Sequence, residues 1–507
     1  MTEALSAQNV AARVAKNTLA QIVALASTIV SKLLITIVIA RLFGPEQVGE
    51  FALVITFTLL FTFLSTAGVP WALIREIATH RDQAHRYAGN GLTLVALAGL
   101  LNVPLMVGTV AVLGYPSHIQ LAVALVGLAL VSEGLGQVLN GVFSGFERME
   151  WGALILIVQE LTFLIIGVAV LLLRLPFIWL FVVYVPSRLA GFLAGWWAYY
   201  RLFGHALRPA FERPFICQLL RTSLPYAANM ALGPIYLRID VVMLSIYQGS
   251  AAVGFYEAAT TIFYRLNVFA RTFNTALLPL MARELDTEAQ RLRQYIHAAI
   301  KYQLVLGVPL TVLGVTLADR LILLLYGPDF ASSVLVFRLL TTMICLQFID
   351  NTLATALTAL GLQGQRSVAV TLAAVFNILI NLYVIPPYSF VGATVTTLLT
   401  ESVFFSTLFI ILSRKATRPL SIQLFLKPAL AGLLMASSVW LLRGFTVWLP
   451  IVTGGMVYLA ALLGLGVFTS AEMRLLLRLP LLARLAPAQV RQLDRPSAGP
   501  TERINQL

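Results

Sequence analysis

An all-α polytopic membrane protein is the fold class that three features of this chain predict. Of its 507 residues 59% are hydrophobic and only 11% charged, at a mean hydropathy of +0.87, whereas soluble proteins carry about 25% charged residues. The apolar residues gather into runs near the ~20 residues that a bilayer core requires. Basic residues crowd into every second loop: 25 of the 35 Lys and Arg fall on one side, and Arg41, Arg174, Arg320 and Arg443 alone on the other. By the positive-inside rule the crowded loops and both termini are cytoplasmic, so the number of crossings is even.

Taken in order, the runs give fourteen spans: 17–40, 51–73, 88–113, 119–143, 152–173, 177–200, 222–247, 252–280, 302–325, 332–360, 367–386, 389–412, 424–442 and 447–469. Residues 1–16 are polar, and the run Thr18–Ala40 is long enough to span rather than be cleaved as a signal. They form a cytoplasmic N-terminal segment. Spans one to six make a lobe over 17–210 and spans seven to twelve a second over 211–413. Helices 13 and 14 follow over 414–470, and 471–507 is a basic cytoplasmic tail, solvated at the membrane surface.

The division into lobes rests on an internal repeat. The turn after the first span reads GPEQVGEF from Gly44 to Phe51, and the turn after the seventh reads GSAAVGFY from Gly249 to Tyr256. Each has Gly, then Val-Gly at the foot of the next span, then an aromatic, at an offset of 205 residues. A fainter match sets Ser144-Gly145-Phe146-Glu147-Arg148 beside Leu360-Gly361-Leu362-Gln363-Gly364. An offset of six spans gives both halves one orientation, a parallel repeat about an axis along the membrane normal with a central cavity between the halves.

Several function classes drop out. The net charge of +13 is explained by topology, so no nucleic-acid partner is expected. Cys217 and Cys345 are too few for a disulfide framework. No Lys follows a Gly, which removes a Walker A loop, and no HExxH or zinc-ligand cluster exists. No cofactor, no metal and no catalytic residue is expected.

What remains are charges inside the spans, each costing at least ~2.5–3.5 kcal/mol on insertion scales and therefore facing protein or water. Six are cations: Lys32, Arg188, Arg238, Arg265, Arg271 and Arg338. The stretch from Ser223 to Met281 holds three of them. There Tyr264, Asn267, Arg271 and Asn274 share one helical face, with Glu257, Thr261, Arg265 and Thr272 alongside. Such strips suit an anionic, hydrated ligand. Asn17, Gln21, Thr28 and Lys32 share a face of the first span, and Glu133, Gln137, Asn140 and Ser144 a face of the fourth. Arg188 lies near Tyr184, Arg338 near Thr341, and Asn377 near Asn381. Polar side chains that bond one helix to the next explain such residues as well as a cavity does. Arg238 and Asp240 stand ~200° apart on a helix and cannot pair directly.

Certain segments carry a resemblance to a known family. They are NTLAQ at Asn17–Gln21, ARLFGPEQVGEF at Ala40–Phe51, GVPWALIREIA at Gly68–Ala78, SLPY with RIDVVML and AVGFYEAA, and LLYGPDFASS with ALGLQGQR. In these the chain, to about residue 413, resembles Wzx-type polysaccharide flippases of the multidrug/oligosaccharidyl-lipid/polysaccharide exporter superfamily. The resemblance implies a two-lobed, alternating-access transporter, not an enzyme, in a bacterial or archaeal plasma membrane. It implies that a polyprenyl-pyrophosphate-linked oligosaccharide moves from the cytoplasmic to the outer leaflet, with membrane lipids and the glycan synthesis machinery as partners. Under it, Lys32, Arg265, Arg271, Arg188, Arg238 and Arg338 are the candidates for the pyrophosphate. Asn17, Gln21, Gln137, Asn140, Asn267 and Asn274 are the polar cavity candidates, and Glu133, Asp240 and Glu257 the ion-coupling candidates. Two alternatives stand beside it. A cation-coupled multidrug exporter of the same superfamily is disfavoured by a first span with Lys32 and no acid. A polyprenyl-dependent glycan enzyme is disfavoured because no outer loop exceeds roughly ten residues.

Overall fold

The computed structural model describes residues 2–283, 289–415, 422–468 and 472, and every regular element among them is helical. In order they are α1 (Thr2–Phe43), α2 (Pro45–Thr66), α3 (Val69–Thr79), α4 (Ala84–Val112), α5 (Ser117–Gly145), α6 (Met149–Leu172) and α7 (Ile178–Phe203). Then come α8 (Arg213–Arg283), α9 (Ala289–Thr316), α10 (Ala318–Tyr326), α11 (Ser333–Thr341), α12 (Ile344–Ala359), α13 (Gln363–Lys415), α14 (Ile422–Leu441) and α15 (Trp448–Gly464).

Helix length converts this list into crossings. A straight 71-residue α8 would be about 107 Å long, far beyond a ~30 Å core. It folds back at Gly249 (φ 81, ψ 179) into arms 213–248 and 250–283. The 53-residue α13 does the same at Ser389 (φ 53, ψ −139), after Pro386 and Pro387, giving arms 363–388 and 390–415. Short α2 and α3 together make one span, Pro45–Thr79, and α11 and α12 make another that bends by 47°. With α15 counted, the described helices supply fourteen crossings. Helix α1 runs on below its span, so 2–16 is helical; the tail beyond 472 lies outside the described residues.

The repeat is built into the backbone. Gly44 (φ 83, ψ −171) and Gly249 adopt the same conformation, one essentially open only to glycine, and each reverses the chain between consecutive spans. The fainter match needs a correction. The helices end in left-handed Glu147 (φ 59) and Gly361 (φ 70), each followed by the same closing bond, Arg148 N to Phe143 O at 2.8 Å and Leu362 N to Leu357 O at 2.9 Å. The counterpart of Gly361 is thus Glu147, while Gly145 is still helical.

Among the described residues, two apolar clusters join the N-terminal and C-terminal halves of the chain. An apolar cluster of Ile35, Val48 and Phe57 with Val253, Tyr256, Phe263 and Phe337 joins them at the Gly44/Gly249 end. Met281, Ile296, Leu353 and Leu408 form a core of the C-terminal half, and α14 and α15 pack on α9 around Met435 and Leu462. The first turns of α8, however, pack with the N-terminal half, Leu219 beside Val69, Leu73 and Tyr87. Its approach is tethered by Ala210 N to Gly89 O at 3.1 Å and by the Arg86–Glu212 ion pair, which holds the Glu212 carboxyl below the usual carboxylate range.

Candidate functional site

A chamber lies between α1, α2, α6, α7 and both arms of α8. Four cations line it: Lys32 and Arg188 from the N-terminal half, Arg238 and Arg265 from the C-terminal half. The two pairs of residues differ in how they are held. Arg188, 3% exposed, donates from Nη1 to Glu160 at 3.2 Å and from Nη2 to the Tyr184 hydroxyl at 2.6 Å, with Glu133 3.3 Å from its Nε. A buried guanidinium held by two carboxylates and a phenol is fixed in place. Across the chamber Arg238 donates to Glu257 at 2.6 Å, and Glu257 accepts further from Thr261 at 2.9 Å. Lys32 and Arg265 form no ion pair within 4 Å among the described residues, and the buried Arg265 Nε has no hydrogen-bond partner.

The chamber continues toward the end that carries the basic loops. Arg238, Thr261 and Arg265 also line a second space with Tyr264, Asn267 and Arg271. Asn267 and Arg271 in turn line a third, which reaches Arg366 in the first turn of α13. At the other end the way is shut. A Cβ on Gly49 would lie 1.7 Å from the Ser250 carbonyl oxygen, and one on Gly254 would lie 1.9 Å from that of Pro45. Both contacts join the halves backbone to backbone, and their residues are related by the same 205-residue offset.

The structure brings Lys32, Arg188, Arg238, Arg265 and Glu257 around the first chamber, sets Glu133 beside Arg188, and places Arg271 and Asn267 in the next two. Asn267 receives a hydrogen bond from Asn351 at 2.9 Å. Other sequence candidates lie elsewhere. Asn17 and Gln21 donate to the carbonyls of Glu147 and Met149 at 3.0 and 3.3 Å, seating α1 on the α5–α6 turn. Asn140 presses its Oδ1 against Gly152 of α6, and Asn274 accepts from Thr352 at 3.2 Å. Gln137 and Arg338 line none of the three spaces. Asp240 accepts from its own neighbour Val241 N at 2.8 Å and from the Tyr256 hydroxyl, closing a local α8–α13 contact through Thr397. Arg238 pairs with Glu257 rather than Asp240, as the angular separation requires.

Three acids were missed by the motif search: Glu160, Asp350 and Glu401. All are buried in the middle of spans and line the chambers. The rule applied to the cations, that an ionisable group inside a span has a job, would have found them.

Comparison with known proteins adds to this geometry. The family model described as polysaccharide biosynthesis protein matches residues 14–285, and that described as MatE matches 225–384. A curated relative, the probable low-salt glycan biosynthesis flippase Agl15 of Haloferax volcanii, is 24% identical over 172 residues, 34% of this chain and about a third (36%) of that protein. Among solved structures, lipid II flippase MurJ in an inward closed conformation superposes with a TM-score of 0.70 at 16% identity, covering 88% of this chain and 97% of that one. An inward-facing multidrug resistance MATE transporter gives 0.63 at 14% identity, covering 76% and 95%. A MOP superfamily transporter from Pyrococcus furiosus gives 0.55 at 13%, covering 79% and 95%. At these identities the likeness is one of fold.

Proposed function

The chain belongs to the polysaccharide biosynthesis protein family, and from that premise we propose that it is a flippase for a polyprenyl-pyrophosphate-linked oligosaccharide. In this proposal it works by alternating access in the plasma membrane of a bacterium or archaeon, with the basic end and both termini cytoplasmic. The chambers then open toward the cytoplasm, where the substrate is made, and are sealed toward the outer leaflet. Enzymes that assemble and later consume the glycan are its expected partners. The Haloferax volcanii relative that carries a glycan flippase name supports this reading, as does the fold shared with a lipid II flippase.

One observation carries it. Lys32 and Arg265 line one mid-membrane chamber from opposite halves and have no protein anion within 4 Å among the described residues. Arg188 and Arg238 beside them are already committed to carboxylates. Two uncommitted cations between two fixed ones suit a doubly charged pyrophosphate, while Asn267, Asn351 and the tyrosines beyond suit sugar hydroxyls. A cationic drug, the substrate class of the alternative exporter, would meet this surface with the wrong sign.

The test is flipping of a fluorescent polyprenyl-pyrophosphate glycan in proteoliposomes. Each charge-assisted contact is worth about 1.5–3 kcal/mol, so Lys32→Ala or Arg265→Ala is expected to weaken apparent affinity roughly 10- to 100-fold. Arg265→Lys should keep part of the activity, and melting temperatures should hardly move. Alanine variants that fold and flip normally would remove the reading.

A further inference from the structure

We propose that Asp350 and Glu401 form a proton-binding site in the C-terminal half, one proton being shared between the two carboxyls. Asp350 comes from α12 and Glu401 from the second arm of α13; they are 2% and 7% exposed and line the third chamber. Both carboxyls line that chamber, and Gln347, one helical turn before Asp350 on α12, reaches Glu401. Glu401 is supplied with donors, its Oε1 accepting from the Tyr236 hydroxyl at 3.2 Å and from Gln347 Nε2 at 3.3 Å. Neither buried oxygen of Asp350 receives any donor among the described residues.

That asymmetry is the argument. A buried carboxylate with no donor aimed at it bears the full cost of lost hydration. An acid in such a place satisfies itself only by carrying the proton and donating it, and the carboxyl that lines the same chamber is Glu401. With the proton, the site is a neutral donor against an acceptor already steadied by Tyr236 and Gln347. Without it, two like charges share one buried site, which disfavours ionising both. The groups around the pair do not neutralise it. From α8 come Tyr236, Tyr264 and Arg271, and from the first arm of α13 comes Arg366. Neither arginine lies within 4 Å of a carboxylate oxygen among the described residues. On the far face of α12, α9 sets Gly307 against Cys345 and Phe348.

The N-terminal half handles its acids in the opposite way, with Glu133 and Glu160 both held by Arg188. Proton exchange therefore belongs to the C-terminal half. Arg271 lines the second chamber as well as the third, so release of the proton takes the pair beside it from one negative charge to two and alters the cation available to a ligand. That this step drives transport rests on the flippase reading; that the pair holds a proton does not.

Two measurements keep these apart. The first uses the full chain in lipid nanodiscs, without substrate, and records infrared difference spectra between acid and alkaline pH. A protonated-carboxyl C=O band that disappears on alkalinisation is expected in the wild type and in the control Glu50→Gln, and is expected to be lost in both Asp350→Asn and Glu401→Gln. Both replacements are isosteric and keep a donor between the side chains, so the fold is retained. Persistence of the band in both variants would overturn the site. So would its loss on adding sodium at constant pH, since the pair would then be a sodium site. The second measurement imposes a pH gradient on proteoliposomes holding a fluorescent polyprenyl-pyrophosphate glycan. Wild-type flipping should accelerate several-fold, and Asp350→Asn should flip without responding to the gradient. A wild type that flips at the same rate with and without the gradient overturns the driving role alone. A wild type that flips nothing under any gradient overturns the flippase reading, and the infrared result still decides the pair.

Discussion

The two ends of the molecule join its halves by different means. At the Gly44/Gly249 end the contact is backbone on backbone, Gly49 against Ser250 and Gly254 against Pro45, each pair the image of the other through the 205-residue repeat. Arg41 adds a clasp there, its guanidinium donating to the Leu325 carbonyl at 3.0 Å and to that of Leu324 at the end of α10. At the basic end the start of α8 reaches the N-terminal half. It does so through Gly68 beneath the Ser223 carbonyl, Gln218 Nε2 donating to Glu76 at 3.1 Å, and the exposed Arg86–Glu212 pair. No repeat partner mirrors this strap: 205 residues beyond Gly68 stands Phe273. A symmetric seam of bare backbone makes a gate that is shut or open, because glycine contacts leave no side chain to bridge a gap. An asymmetric strap of side chains lets the halves move while keeping them attached.

The largest effect should therefore come from filling the gate. Gly254→Ala would put a methyl group 1.9 Å from a backbone oxygen, and backbone cannot step aside as a side-chain tip can. Overpacking costs typically about 1–3 kcal/mol, enough for a roughly 10- to 100-fold shift toward the unsealed arrangement. A cysteine at Ile55, which lines the first chamber, reports it. Its reactivity toward an impermeant maleimide applied from the Gly44 side should rise by that factor. Gly68→Ala, whose methyl group would stand 2.5 Å from the Ser223 carbonyl oxygen in the strap, should leave the cysteine protected. Equal protection in both variants would break the comparison.

Much of this gate was legible in the sequence, and little of the charge chemistry was. Gly44 and Gly249 announced themselves because a conformation nearly closed to other residues leaves a glycine at the same place in both copies. Lys32, Arg265 and Arg271 were legible because a charge in an apolar run needs a reason. Spacing gives a helical face and does not name its neighbour, and there the reading stopped. One face of the 42-residue α1 serves α6 through Asn17 and Gln21 and the chamber through Lys32. Pairing across helices leaves no periodic trace either: Arg188 meets Glu160 over 28 residues of separation and Gln347 meets Glu401 over 54. The strap escaped the sequence for a related reason. Hydropathy marks where a span starts and not which half its first turns lie against.

A smaller effect should follow from opening the clasp. Arg41→Met removes both hydrogen bonds to α10 while keeping an apolar stem of similar reach. Charge-assisted bonds are worth about 1.5–3 kcal/mol when buried, but Arg41 is exposed, and exposed pairs bring ~0.2–1 kcal/mol. Labelling of the Ile55 cysteine should rise about two- to fivefold. Arg41→Lys should recover only part, since an ammonium cannot address two successive carbonyls as a guanidinium does. An increase as large as that of Gly254→Ala would mean that the clasp, and not the backbone contact, seals the gate.

The smallest effect belongs to the strap and to acid. Hydrogen bonding to Arg86 holds the Glu212 carboxyl below its ordinary value of 4.5. A group whose folded value is depressed contributes stability above its unfolded value and loses it as pH falls through the folded one. The strap is therefore indifferent between pH 7 and pH 5 and loosens only below the ordinary carboxylate range. Its exposure keeps the change modest. Hydrogen exchange at the Ala210 and Glu212 amides, which bond to Gly89 O and to Asn90 Oδ1 at 3.1 and 2.6 Å, reads the strap directly once intrinsic rates are divided out. Protection should hold from neutral pH down to the carboxylate range and then fall in the wild type. In Glu212→Gln it should start lower and stay flat with pH, because no proton is taken up. The Ile55 cysteine should be indifferent to both changes, since the gate seam itself is backbone on backbone. Acid that unseals Ile55 together with the strap would show that the two ends are one mechanical unit, and the contrast between them would be lost.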